Sequence, residues 1–222
     1  DVLGIFEDMF NHKAFTGRSG TFFAYEGLGS IYWHMVSKLL VAVQETLLRF
    51  PDSPHKGQLV DHYYQIRAGI GVNKSPELYG AFPTDPYSHT PFNRGAQQPG
   101  MTGQVKEDIL NRWSELGVGV ENGQISFSPT FLSDEEWLTQ ESVFEYLSLQ
   151  GKFEQLKVNA GELAFTYCQV PIVYKKGEAN GIRIGLKGGD EVSLSGMHHL
   201  GEEYSSALFE RNGQIEWIRV DI

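Results

Sequence analysis

The residues of the first half best equipped for chemistry lie in Phe15-Thr16-Gly17-Arg18-Ser19-Gly20-Thr21-Phe22-Phe23-Ala24-Tyr25-Glu26-Gly27-Leu28-Gly29-Ser30. Glu26 stands between Tyr25 and Gly27-Leu28-Gly29, just ahead of an expected helix. A carboxylate there is either a general acid or base, or a charge that complements a helix N-terminus; both readings stay open. The glycines do not form a phosphate-binding loop, because neither the Walker spacing nor a preceding strand is present.

A second group occupies residues 79–100, where Asp85, His89, Arg94, Gln97 and Gln98 alternate with Phe82, Tyr87 and Phe92 between prolines and glycines. Planar polar groups hydrogen-bond sugar hydroxyls in pairs, and aromatic rings pack against the C–H face of the sugar ring. The alternative is a proline-anchored loop whose polar groups satisfy its own backbone. Long unpatterned loops inside compact domains tend to be functional, so an ordered surface loop over 80–100 is expected. This loop and residues 18–26 are expected to line one pocket. Glu26 would be its acid or base, and Arg18, Tyr25, Asp85, Tyr87, His89, Arg94 and Gln97 its substrate-binding groups.

Composition narrows the classes. The 222 residues carry a formal net charge of −10, which argues against a nucleic-acid partner, since a phosphate backbone calls for a basic stripe. No apolar run has the length of a membrane span, so no membrane partner is expected. Cys168 is the only cysteine, which rules out an intrachain disulfide and leaves a buried thiol in an expected strand. His198-His199 is a poor chelating pair in a strand, so neither a metal nor a cofactor is expected. Asp1 opens the sequence, as a removed export signal or an upstream domain would each explain; cytoplasmic and periplasmic locations stay equally open.

Helical periodicity dominates up to residue 116. Ser30 is a candidate cap for a helix reaching Phe50, with the apolar stripe Tyr32, Val36, Leu39, Val43, Leu47 and Phe50. Ser53-Pro54 opens a second helix carrying Leu59, Tyr63, Ile66 and Ile70. A third follows Thr102, carries Val105, Ile109, Trp113 and Leu116, and closes at Gly117. From 117 to 222 short β-rich runs alternate with turns. Two Asn-Gly pairs, Asn122-Gly123 and Asn212-Gly213, mark hairpins over residues 118–127 and 207–220. The fold class is therefore α+β: a helical segment over 1–116 with the long loop at 80–100, then an antiparallel β-sandwich-like domain over 117–222.

Residues 15–20, 26–34, 80–104 and 113–127 together resemble the C-terminal end of very large bacterial proteins, the toroid-type glycoside hydrolases and phosphorylases built on an (α/α) barrel. The resemblance spans residues 1–130. It implies that the helices belong to a toroid-like array followed by a β domain. It also implies that the chain is the C-terminal portion of a carbohydrate-active enzyme, contributing loops that bind an oligo- or polysaccharide. No catalytic Asp or Glu of that class is matched to a position here. The missing helices would come from an upstream domain of the same polypeptide or a second copy of the chain, and the segment alone would be inactive. The competing reading is a non-catalytic glycan-binding or assembly domain, with the β half doing the binding.

Overall fold

The computed structural model describes residues 2–10, 25–70, 105–177 and 180–222. The protein is α+β, and its chain divides into two compact units, Asp1–Arg112 and Trp113–Ile222.

The first unit is helical: α1 (Val2–Phe10), α2 (Tyr25–Arg49), α3 (Lys56–Ile70) and most of α4 (Val105–Glu115). Helix α2 begins five residues ahead of Ser30, which is therefore interior to the helix rather than at its start. Glycine lowers helix propensity without forbidding helix, and Gly27 and Gly29 are carried inside. The expected apolar stripes hold at Leu47, Tyr63 and Leu116, which are buried, and are corrected elsewhere on α2 and α4. Helix α2 buries Ser37, Leu40, Gln44 and Leu47, while Leu39 and Phe50 are exposed. Helix α4 buries Glu107 and Asn111 but exposes Ile109 and Leu110. Adjacent apolar pairs such as Leu39-Leu40 and Leu47-Leu48 fit two faces of a helix equally well, so periodicity alone does not choose between them.

In the second unit Gly117 ends the helical stretch at φ +67°, and a Cβ there would sit 2.1 Å from the Ser128 carbonyl carbon. Only glycine tolerates both the left-handed backbone and that approach. The hairpin β1 (Val118–Glu121) and β2 (Gln124–Phe127) then turns on Asn122-Gly123, both at positive φ, as a two-residue primed turn requires. A short 3-10 turn at Asp134–Glu136 follows, capped by Ser133, whose side chain accepts from the Glu135 N–H. A second hairpin pairs β3 (Ser142–Leu147) with β4 (Phe153–Val158).

The remaining strands form one five-stranded sheet in the order β5 (Glu162–Tyr167), β6 (Val170–Lys175), β9 (Ile215–Asp221), β7 (Gly181–Leu186), β8 (Glu191–Ser195). Two expectations are overturned here. Residues 163–174 are two strands joined at Cys168-Gln169, both at positive φ, so Cys168 lies in a turn. Residues 207–220 are not a hairpin, because helix α5 (Gly201–Glu210) takes up the first part. Arg211 adopts the left-handed conformation at its end, and the Asn212 N–H reaches the Ala207 carbonyl in a Schellman closure. Strand β9 runs parallel to β6 and antiparallel to β7, so the sheet is mixed rather than purely antiparallel. β8 and β9 both run antiparallel to β7 and hence parallel to each other. Such strands cannot be joined by a tight turn, and α5 is the crossover they require.

The sheet is apolar on one face and polar on the other. Ile172, Tyr174, Ile182, Ile184, Ile218 and Val220 are buried with Ile125, Phe127, Leu200 and Leu208 of the elements beneath. The Tyr174 ring meets Phe165 and Phe127 edge to face at 5.1 and 6.1 Å, and its hydroxyl donates to the Leu116 carbonyl at 2.6 Å. Ser205 of α5 accepts the Ile125 N–H in this core, which ties the crossover helix to β2.

Candidate functional site

Alternation along β9 sends Trp217, Arg219 and Asp221 to the polar face while Ile218 and Val220 stay in the core. The ladder places Gly185 of β7 opposite Trp217 and Arg183 opposite Arg219. Trp217 lies against the sheet at Gly185, where a Cβ would come within 2.1 Å of its Cε2 and Nε1 atoms. A glycine inside a strand often marks a close approach of this kind. The Arg219 guanidinium lies 5.8 Å from the Trp217 ring centroid, within cation–π range.

The β3–β4 hairpin borders this face and encloses two depressions that adjoin at Trp217 and Leu156. The larger, about 440 Å³, is lined by Tyr146, Gln150, Glu154, Gln169, Glu216 and Trp217 among others. The smaller, about 320 Å³, is lined by Leu156, Val173, Arg183, Glu191, Trp217 and Arg219. Both volumes fall in the range of small-ligand sites.

The first depression is held in shape by local bonds. Tyr146 and Glu154 are direct cross-strand partners, and the Tyr146 hydroxyl donates to Glu154 Oε2 at 3.2 Å. Burial, with the charges of Glu154 and Glu216 beside it, raises the Tyr146 pKa above the ordinary phenol value, so the group stays a neutral donor. Gln169 Nε2 donates to the Ser148 carbonyl at 3.2 Å. Because that partner is a carbonyl, the amide orientation is fixed, and Gln169 Oε1 is left buried with no hydrogen-bond partner among the described residues. Beside it, burial pushes the Cys168 thiol up, with Arg211 pulling weakly the other way, so the thiol is not an activated nucleophile.

The surface therefore offers two aromatic rings, two side-chain amides and two carboxylates at one end, and two guanidiniums at the other. Aromatic faces beside paired donors and acceptors have the chemistry to orient a polyhydroxylated ligand.

Of the residues expected to form a site, Arg18, Asp85, Tyr87, His89, Arg94 and Gln97 lie outside the described residues, as does the whole 80–100 loop. Tyr25 and Glu26 are the first two residues of α2, and their side chains also lie outside the description. In the helical unit Asp108 has its pKa raised by burial and then by Glu107, against the pull of Arg67. Among the described residues no group of three or more His, Cys, Asp and Glu side chains is arranged to hold a metal ion, and no helix is long and apolar enough to cross a membrane.

Sequence reasoning missed Tyr146, Gln169, Arg183, Trp217 and Arg219. The available signal was large polar or aromatic residues alternating with core residues in Ile182-Arg183-Ile184 and Ile215-Glu216-Trp217-Ile218-Arg219, with Gly185 interrupting a strand. The chain matches no protein-family model and no curated protein.

Proposed function

We propose that the β unit is a glycan-binding module of a carbohydrate-active protein, and that the trough between the β3–β4 hairpin and the polar sheet face holds the sugar. The observation that carries this reading is Trp217, seated on Gly185 where the two depressions meet, with Tyr146, Glu154 and Gln169 on one side. An indole on a glycine offers a flat apolar platform for a sugar ring. Carboxylate and amide groups at its edge accept and donate to paired hydroxyls. On this reading the hairpin would face the sheet across the bound sugar, the sandwich-like arrangement expected of residues 117–222.

The helical unit fits the same proposal as a portion of a toroid-like array in a glycoside hydrolase- or phosphorylase-type enzyme. The support is its apolar outer faces on α2 and α4, which upstream helices or a second copy of the chain would cover. Binding of the purified chain to a broad panel of immobilised neutral and acidic glycans tests the reading. The wild type should retain at least one glycan class and Trp217→Ala should lose it. Retention by Trp217→Ala equal to the wild type, or no retention of any glycan, would reject the trough as the sugar site.

A further inference from the structure

The arginine end of the trough carries a charge arrangement that a neutral sugar does not explain. Arg183 and Arg219 are direct cross-strand partners on the polar face, and like charges so placed destabilise a sheet. Each meets one carboxylate, Arg183 to Asp221 and Arg219 to Glu162, both at 3.8 Å and beyond hydrogen-bond length. Glu162 Oε2 accepts from both the backbone N–H and the side-chain amide of Asn159, and Oε1 is the oxygen that faces Arg219. Among the described residues neither guanidinium has a hydrogen-bond partner, and their side chains are 42 and 33 % exposed into the smaller depression. Two planar forks on paired strands that line one depression, partly desolvated and still with N–H groups to donate, suit the oxygens of a carboxylate. The third charged lining residue is Glu191, on the neighbouring edge strand, while Asp221 and Glu162 stand beside the arginines just beyond the lining.

At the other end the charged lining residues are Glu154, Glu216 and Lys187, a balance of one negative charge. A second anionic group is disfavoured there, while hydroxyl groups are welcome.

We propose that Arg183 and Arg219 form the acid-reading subsite of the trough, and that the ligand is an acidic saccharide in which a hexuronate is linked to a neutral sugar. The inference rests on the glycan-binding reading above and deepens it. The uronate carboxylate bridges the two guanidiniums, relieving their mutual repulsion. Its ring packs beside Trp217, and the neutral unit reaches Tyr146, Glu154 and Gln169. Specificity then comes from charge at one end and hydroxyl pairing at the other.

The test is calorimetric titration of the full chain with oligosaccharides pairing glucuronate or galacturonate with a neutral sugar, each beside its carboxyl-reduced counterpart. A third arm carries a sulfate ester in place of the carboxylate. At least one uronate should bind about tenfold or more tightly than its reduced form, as expected for a charge-assisted hydrogen bond. R183Q/R219Q should bring both forms to the same affinity, and Trp217→Ala should weaken both. R183Q alone, whose partner Asp221 keeps its access to water, serves if the double variant fails to fold. Equal affinity for all acid and reduced pairs, or a preference that survives the arginine substitutions, overturns the inference. A preference for the sulfate ester over every uronate overturns it in favour of a sulfated ligand. Tryptophan-dependent binding of neutral sugars alone would sink the uronate assignment and leave the glycan reading standing, whereas no binding in any arm sinks both.

Discussion

The two units distribute polarity differently, although the helical unit too buries Leu40, Leu47 and Tyr63. In the β unit the apolar residues are inside, from Ile172 and Tyr174 to Ile218, and the charges lie on the other sheet face. In the helical unit Ser37 and Asn111 are 0 and 4 % exposed, while Met35, Leu39 and Ile109 are 65, 52 and 42 % exposed. Ser37 Oγ, Gln44 Oε1 and both amide atoms of Asn111 have no hydrogen-bond partner among the described residues. Burying such groups costs free energy, and exposing large apolar ones forgoes it. The β unit therefore carries its own core, whereas the described residues of the helical unit leave polar groups inside and large apolar ones outside.

The largest expected effect breaks the β core. Ile172→Ala should cost about 2–5 kcal/mol, the usual range for emptying a fully buried aliphatic site. Urea denaturation with a probe in the β unit checks it. Leu39→Gln and Ile109→Gln on the helices should each change stability by no more than about 0.5 kcal/mol, as exposed substitutions do. They should also reduce any self-association measured by sedimentation. If the helical substitutions proved as damaging as Ile172→Ala, the contrast between the units would collapse.

The next effect lies at the trough. Gly185→Ala puts a methyl where the Trp217 ring sits, and overpacking of this kind costs about 1–3 kcal/mol. A red shift in tryptophan emission and weaker glycan retention should accompany it. Unchanged emission and binding would show that the ring does not depend on the glycine.

An effect of similar size sharpens the account of the core. Tyr174→Phe leaves the Leu116 carbonyl without its donor and should cost about 1–3 kcal/mol. Burial raises the Tyr174 pKa above its ordinary 10.0, so the folded protein holds this proton where the unfolded chain releases it. The associated stability is present below pH 10 and falls as pH rises beyond it. Relative to wild type, Tyr174→Phe should lose less stability between pH 9 and 11, a window set around the 10.0 value. Parallel pH profiles would contradict the assignment.

Much of the architecture was legible where local chemistry has one solution. Asn122-Gly123 supplies two positive φ angles between alternating residues, and it is a hairpin. Asn212-Gly213 has the same letters but follows Tyr204, Ala207 and Leu208, whose three- and four-residue spacing belongs to a helix. There Arg211 takes the left-handed position, and Asn212 accepts the Gln214 N–H through its side chain. Cys168-Gln169 turns a hairpin without glycine or asparagine and so leaves no local mark. The trough was illegible for another reason. Alternation shows that Trp217 and Arg219 share a face, but only the β7–β9 register sets Gly185 and Arg183 opposite them, and that register comes from a crossover through α5.

The central claim is that the sugar is bound by the β unit, and hydrogen exchange on the full chain tests it most directly. With the glycan retained best by the wild type, protection should rise in residues 146–156, 169–173 and 213–219. The described helices, 25–70 and 105–115, should be unchanged. Protection confined to those helices, with none around Trp217, would contradict the account.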